Sequence, residues 1–233
     1  GTVIGEMPLA LMRDLNLQQT TAPKIVAGTT DSLAAFIATG AHQIGEGVTS
    51  LGSTLVLKLI SDKAVFAPES GIYSHKLGKY WLVGGASNSG GAVIRQFFTD
   101  SQITTLTAQI DLSQSPPDYY PLPATGERFP VADPNMPPRL TPRPASDSLF
   151  LHGLLNGIAN IEQQAYGKLQ QRCGIALKSV RSVGGGAANP VWTKIRQQKL
   201  AVLFLPVLNT EAAYGAALLA KDGLQTFEED NHG

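Results

Sequence analysis

The sequence has 233 residues, enough for one large or two small domains with real cores. Apolar residues make up 43% and charged residues 15%, and the 18 basic and 18 acidic side chains cancel. That balance argues against nucleic acid or an anionic membrane as partner, no apolar run reaches membrane-spanning length, and no secretory signal is visible. The single cysteine, Cys173, has no internal disulfide partner and fits a reducing, cytoplasmic compartment. It reads as a small buried hydrophobe at a helix end. The opening Gly1-Thr2-Val3-Ile4-Gly5-Glu6-Met7 reads like a mid-domain turn, so the chain is expected to be a fragment or a processed piece.

Residues 7–17 carry apolar side chains at helical spacing, and 24–28 read as a short buried strand ending in Gly28. Leu33, Ala34, Phe36, Ile37 and Ala38 repeat like a packed helix that Thr30, Asp31 or Ser32 could cap and Gly40 stops. Residues 48–60 form a long strand pattern broken by Gly52-Ser53-Thr54. A second strand is expected near 64–66 and a third over 80–83. The loop Ala86-Ser87-Asn88-Ser89-Gly90-Gly91 then enters a helix through Phe98.

Residues 111–147 change character, with ten prolines from Pro116 to Pro144. No regular core element tolerates that density. The stretch reads as a surface excursion anchored by Tyr119, Tyr120, Leu122 and Phe129. A long helix is expected over 149–169, with Gly153 and Gly157 admitting a close neighbour. A strand over 175–183 runs into Gly184-Gly185-Gly186, followed by helix 190–200, strand 202–205 and helix 211–221, with Gly223 as its stop. The acidic tail 227–233 is expected to fray. His42, His75, His152 and His232 are scattered without metal-ligand spacing and read as surface or core residues.

Three strands able to pair antiparallel, then helix and strand in alternation, give a βββαβαβα order. That is the order of the actin-like (ribonuclease H-like) ATPase domain, an α/β fold. Each glycine turn has two readings. Gly52-Ser53-Thr54 suits a phosphate or makes a β-bulge. Gly90-Gly91 presents N–H groups to an anion or serves close packing at a helix start. Gly184-Gly185-Gly186 brings backbone to a ligand or makes a tight strand-to-helix turn. Asp31 is a functional carboxylate or a plain N-cap.

Taken together and in this order, these turns, with Ala27-Gly28-Thr29-Thr30-Asp31-Ser32 before them and Glu211-Ala212-Ala213-Tyr214-Gly215-Ala216-Ala217 after them, closely resemble the C-terminal half of the FGGY carbohydrate kinases, especially the ribulose and xylulose kinase-like members. The resemblance covers nearly the whole chain. It implies ATP-dependent phosphorylation of a sugar hydroxyl, with ATP and Mg²⁺ required and no metal ligand supplied by this chain. Asp31 matches the general base at the sugar. Gly52 and Ser53 match the loop on the ATP phosphates, where the family more often has Thr than Ser. Gly91 matches a glycine beside those phosphates, and Arg95 stands where some relatives have glutamine. Gly185, Gly186, Ala187 and Asn189 match the loop on adenine and ribose. Gln197-Gln198-Lys199 departs from the family's common Ala-Asp pair.

The family's opening Asp-x-Gly-Thr loop does not occur here. On this reading residues 1–46 end a sugar-binding first domain and 47–233 form the nucleotide-binding second domain. The rest of the sugar site would come from the missing N-terminal part of the same protein, and the chain alone would bind ATP weakly. Two other functions fit the same elements: a nucleotide-binding module without catalysis, and a sugar-independent actin-like ATPase.

Overall fold

A computed structural model describes residues 2–18 and 21–223. The expected fraying tail and His232 lie outside the described residues. The chain divides into two compact units, Ala41–Val207 and the segments on either side of it, up to Gly40 and from Leu208. The sequence suggested a single boundary at 46/47. In this division the last helix falls with the first segment.

In the flanking unit, β1 (Val3–Glu6) and β2 (Lys24–Val26) pair antiparallel, with α1 (Leu9–Asp14) between them. The expected burial of β2 does not hold, since Ile25 is 39% exposed. Helix α2 (Asp31–Ala38) packs on α7 (Ala212–Asp222). Small residues explain the pairing. A Cβ on Gly215 would lie 1.9 Å from the Ala34 carbonyl oxygen, so the backbones touch there and only glycine fits. The last carbonyls of α2 are satisfied from the returning chain, Ala38 by the Asn209 N–H at 3.0 Å and Thr39 by the Leu208 N–H at 3.1 Å.

The Ala41–Val207 unit is built on a six-stranded sheet. Its strands are β3 (Glu46–Leu51), β4 (Leu55–Ser61), β5 (Tyr73–Leu77), β6 (Tyr80–Ser87), β7 (Ser179–Val183) and β8 (Leu203–Phe204), in the order β5-β6-β4-β3-β7-β8. The β3–β7 and β7–β8 pairs are parallel and the rest antiparallel. The strand expected over 48–60 is two, β3 and β4, turning at Gly52-Ser53-Thr54, so four antiparallel strands rather than the expected three precede the two parallel ones. The strand expected at 64–66 is displaced to β5. Val65 N–H donates to the Ser74 hydroxyl at 2.8 Å and its carbonyl accepts from that hydroxyl at 2.6 Å, so neither joins a ladder.

Helix α5 (Asp147–Cys173) covers the central strands. Ser146 caps its start and Gly174 closes its end at φ +69°. Leu151, Leu154, Leu155 and Ile158 are fully buried, each contributing about 1.5–3 kcal/mol by leaving water. The expected single helix after Gly91 is two: α3 (Gly91–Arg95) and α4 (Asp100–Ala108), the latter opened by a Thr99/Gln102 capping box. Helix α6 (Pro190–Leu200) packs on α5.

The proline-rich excursion contains no strand or helix and lies against the core. Tyr119, Leu122 and Phe129 are buried within 1% exposure. Gly153 and Gly157 do admit a close neighbour, and it is this excursion: added Cβ atoms would lie 2.6 Å from the Tyr119 ring and 2.7 Å from its carbonyl oxygen.

Candidate functional site

Strand register gathers the glycine turns of the larger unit at one end of its sheet. Ser50 pairs with Val183, Leu51 with Leu55, and Leu55 with Ser87. The turns following Leu51, Ser87 and Val183 therefore start from one row, at the carboxyl ends of parallel β3 and β7. In open α/β sheets ligands bind at that end. The turns also touch. Gly91 N–H donates to the Gly52 carbonyl at 2.8 Å, Ala92 N–H to Ser53 at 3.0 Å, and Leu55 N–H to Ser89 at 2.7 Å. On the other side, Gly184 sits at φ +85°, with an added Cβ only 2.8 Å from the Leu51 carbonyl.

Within this cluster the residues play unequal parts. The Ser53 side chain is exposed and its hydroxyl has no partner among the described residues, so it is free for a ligand. Gly185 is exposed, and a Cβ there would meet nothing within 4 Å. Gly186 lies on the Trp192 ring, 2.4 Å from an added Cβ. Ala187 belongs to a 3₁₀ turn, Gly185–Ala188, that its N–H closes onto Gly184. Of the two readings of Gly90-Gly91, close packing fits Gly91, whose N–H is spent on Gly52. An added Cβ would lie 2.9 Å from the same oxygen, so close packing is why glycine stands there. Asn189 is likewise engaged: its Oδ1 accepts from Trp192 N–H as the cap of α6, and its Nδ2 donates to Thr107 Oγ1 at 3.0 Å. Arg95 pairs with Asp100 at 3.0 Å on the surface.

Asp31 belongs to the flanking unit. It is the first residue of α2, with Thr30 in the N-cap position, so it is not a plain cap. Its carboxylate is exposed and accepts the Ser32 N–H at 2.8 Å.

Two buried carboxylates behind the turns were not singled out in the sequence. Glu162 of α5 takes Arg196 Nε and Nη2 at 2.6 and 2.8 Å, and the Thr49 hydroxyl at 2.6 Å. Arg196 Nη1 also reaches the hydroxyl of Ser182, two residues before the triple glycine, at 2.9 Å. Thr49 gives its proton to Glu162, so Tyr166, 2.9 Å away, donates to Thr49. Burial and then the Glu162 charge hold the Tyr166 hydroxyl far above its ordinary pKa, so it stays a donor. Glu127, in the excursion, accepts Asn88 N–H at 2.7 Å, Ser87 Oγ–H at 2.6 Å, Arg128 N–H at 2.8 Å and Tyr120 O–H at 3.1 Å. Burial, then this carboxylate, raises Tyr120 as well. Gly126-Glu127-Arg128, a charged pair after a glycine amid prolines and buried aromatics, was the available signal.

Two cavities flank the cluster. One of about 410 Å³ lies along Arg95–Asp100, and one of about 700 Å³ runs between Tyr73, Asn88 and Gly126–Arg128. Neither is lined by Ser53 or Gly185, whose surroundings are open surface turns. Among the described residues no group of three His, Cys, Asp or Glu side chains could hold a metal ion. Cys173 is buried, and burial raises its thiol pKa, as suits a core residue. No described helix is long and apolar enough to cross a membrane.

Residues 47–221 match the FGGY family of carbohydrate kinases, C-terminal domain. Solved structures share the fold: a xyloylose kinase from Brucella ovis (24% identity, TM-score 0.81), a ligand-bound xylulose kinase from Lactobacillus acidophilus (19%, 0.78) and a gluconate kinase from the same organism (17%, 0.79). They cover 96%, 98% and 98% of this chain, and it covers 48% of each of theirs. The chain thus spans about half the length of the structures it matches, and its larger unit has their actin-like ATPase fold. It belongs to the FGGY family of carbohydrate kinases, whose C-terminal domain it contains.

Proposed function

We propose that the protein transfers the terminal phosphoryl group of ATP to a hydroxyl of a sugar, a ketopentose such as D-ribulose or D-xylulose. The observation that carries this reading is the convergence of Gly52-Ser53, Gly184 and Gly185 at the carboxyl end of β3 and β7 in a chain of this family. Phosphoryl transfer asks for alignment and charge neutralisation more than covalent chemistry. Gly52 and the free Ser53 hydroxyl would hold phosphate oxygens. The open backbone at Gly185, with Gly186 and Ala187, would lie along adenine and ribose. Gly91 and Asn189 act by packing and capping those turns. Xylulose kinases among the solved structures support a ketopentose.

Mg²⁺ would be carried on the phosphates with its own waters. Bound there, it would neutralise charge developing on the transferred group. Asp31 would take the proton from the attacking hydroxyl. This is the activity of the whole protein, to which a preceding N-terminal part would add the rest of the sugar site. On this reading residues 1–46 belong to the sugar-binding domain, and the protein works in the cytoplasm.

The test is sugar-dependent ADP release by the whole protein with D-ribulose and D-xylulose. Asp31→Ala is expected to lower it by about 10²–10⁴-fold, the usual contribution of a general base. ATP hydrolysis that ignores sugar would favour an actin-like ATPase instead. Sugar phosphorylation that survives Asp31→Ala would remove Asp31 from the chemistry.

A further inference from the structure

The proline-rich excursion does more than cover the core, because three consecutive residues in it grip one turn of the candidate site. Glu127 is 3% exposed, yet it lies in a segment without regular structure and makes no ion pair among the described residues. Its carboxylate is spent on the neutral donors of Ser87, Asn88, Arg128 and Tyr120. Its neighbours hold the Asn88 amide from both ends. Arg128 Nε donates to Asn88 Oδ1 at 2.6 Å, and Asn88 Nδ2 donates to the Gly126 carbonyl at 2.9 Å. The clasp is itself fixed, since Glu127 and Asp133 exchange backbone hydrogen bonds at 2.8 and 3.0 Å.

The gripped turn is the one that sets the phosphate side. Ser87 Oγ also accepts the Ser89 N–H, the Ser89 carbonyl accepts from Leu55, and Gly91 N–H bonds Gly52. Hydrogen bonds fix Ser87 and Ser89 to Glu127, the chain continues through Gly90 to Gly91 and Ala92, and their N–H groups bond Gly52 and Ser53. A carboxylate with all its lone pairs engaged fixes geometry at a cost in desolvation that a purely covering segment would not incur.

We propose that Gly126-Glu127-Arg128 is a clasp that positions the β6–α3 turn, and through it Gly52-Ser53, for the phosphates of the nucleotide, with Glu127 as a positioning residue. This rests on the reading of Gly52-Ser53 as the phosphate loop. It predicts that Glu127 governs the affinity added by phosphates and leaves the affinity for the nucleoside alone.

The experiment is calorimetric titration of the full chain with ADP and with adenosine, each protein checked for folding by thermal unfolding. Glu127→Ala should weaken ADP by about tenfold, the worth of one to two hydrogen bonds, with adenosine unchanged. Glu127→Gln should stay within about threefold of the starting protein, because the amide oxygen can still accept both N–H groups while Ser87 and Tyr120 turn their hydroxyls to accept. Unchanged ADP affinity in Glu127→Ala, or an equal loss for ADP and adenosine, overturns the proposal. If Glu127→Ala does not fold, Arg128→Met decides in its place. That side chain is exposed, and its loss should weaken ADP alone by about threefold; no change overturns the proposal. A starting protein that binds ADP no better than adenosine would sink the phosphate-loop reading and the clasp with it.

Discussion

Glu162 and Glu127 stand behind opposite sides of one loop cluster, and they are stabilised by different chemistry. Glu162 is fully buried with a fully buried Arg196 clamped across it. Glu127 is almost as buried and is held by two N–H and two O–H donors. In the first arrangement each charge depends on its opposite. In the second, the charge is shared among four neutral donors, none of which carries an opposite charge. The first ties α5, α6, β3 and β7 into one block behind the triple glycine. The second ties an irregular segment to one turn. The ion-paired block and the clasp that holds one turn are thus separated in the sequence as well as in the sheet.

The largest effect should come from the ion pair. Arg196→Met leaves Glu162 buried without its cation and should cost about 3–5 kcal/mol in denaturant unfolding. Replacing both, as Arg196→Met with Glu162→Leu, should recover most of that loss. Equal damage from the double replacement would show that the pair stabilises by more than mutual compensation.

Next come the glycines on the Glu162 side. Gly186→Ala drives a methyl into the Trp192 ring and should cost about 1–3 kcal/mol. Gly185→Ala, with open space around it, should change stability by no more than about 0.5 kcal/mol. Its effect should fall on nucleotide affinity instead. Similar unfolding midpoints for the two would break the distinction between packed and open glycine.

The smallest effect tests a buried titratable group away from both carboxylates. His152 of α5 is 4% exposed and its Nδ1 has no partner among the described residues. Burial lowers its pKa, which the Asp111 charge only partly opposes. The unfolded chain therefore takes up a proton on this side chain before the folded one does. Stability should be full above the ordinary histidine value, about 6.5, and fall as pH drops from there toward the depressed folded value. His75, lowered by burial and by Lys58, adds a slope of the same sign. Unfolding curves at descending pH should show the decline, and His152→Leu should make it shallower. An unchanged slope would place the acid sensitivity elsewhere.

How much of this was legible beforehand follows from the range of each interaction. The turns could be read because their chemistry is local. Gly184 must adopt φ +85° within its own segment, and Thr99 and Gln102 write a capping box within four residues. Strand β5 was missed because Tyr73-Ser74-His75-Lys76-Leu77 is a half-exposed edge whose polar residues hide the alternation. The apolar 64–66 stretch looked more strand-like, but a hydroxyl nine residues away takes its backbone groups.

What the sequence alone determined was the fold class, the family and the glycine turns, in which Gly91, Gly184 and Gly186 bring the chain into close contact. What only the tertiary structure decided was whom those positions meet. The N–H of Gly91 looks available in the sequence and is taken by Gly52 in the fold. Helix α2 finds its close partner in α7, at the other end of the chain. Glu127 and Ser87 are 40 residues apart, and Glu162 and Arg196 are 34. The physical reason is one of range. Steric limits on φ and the spacing of apolar side chains act over a few bonds and leave a local signature. The pairing of buried charges and donors is settled only when folding brings distant segments together and removes the water between them.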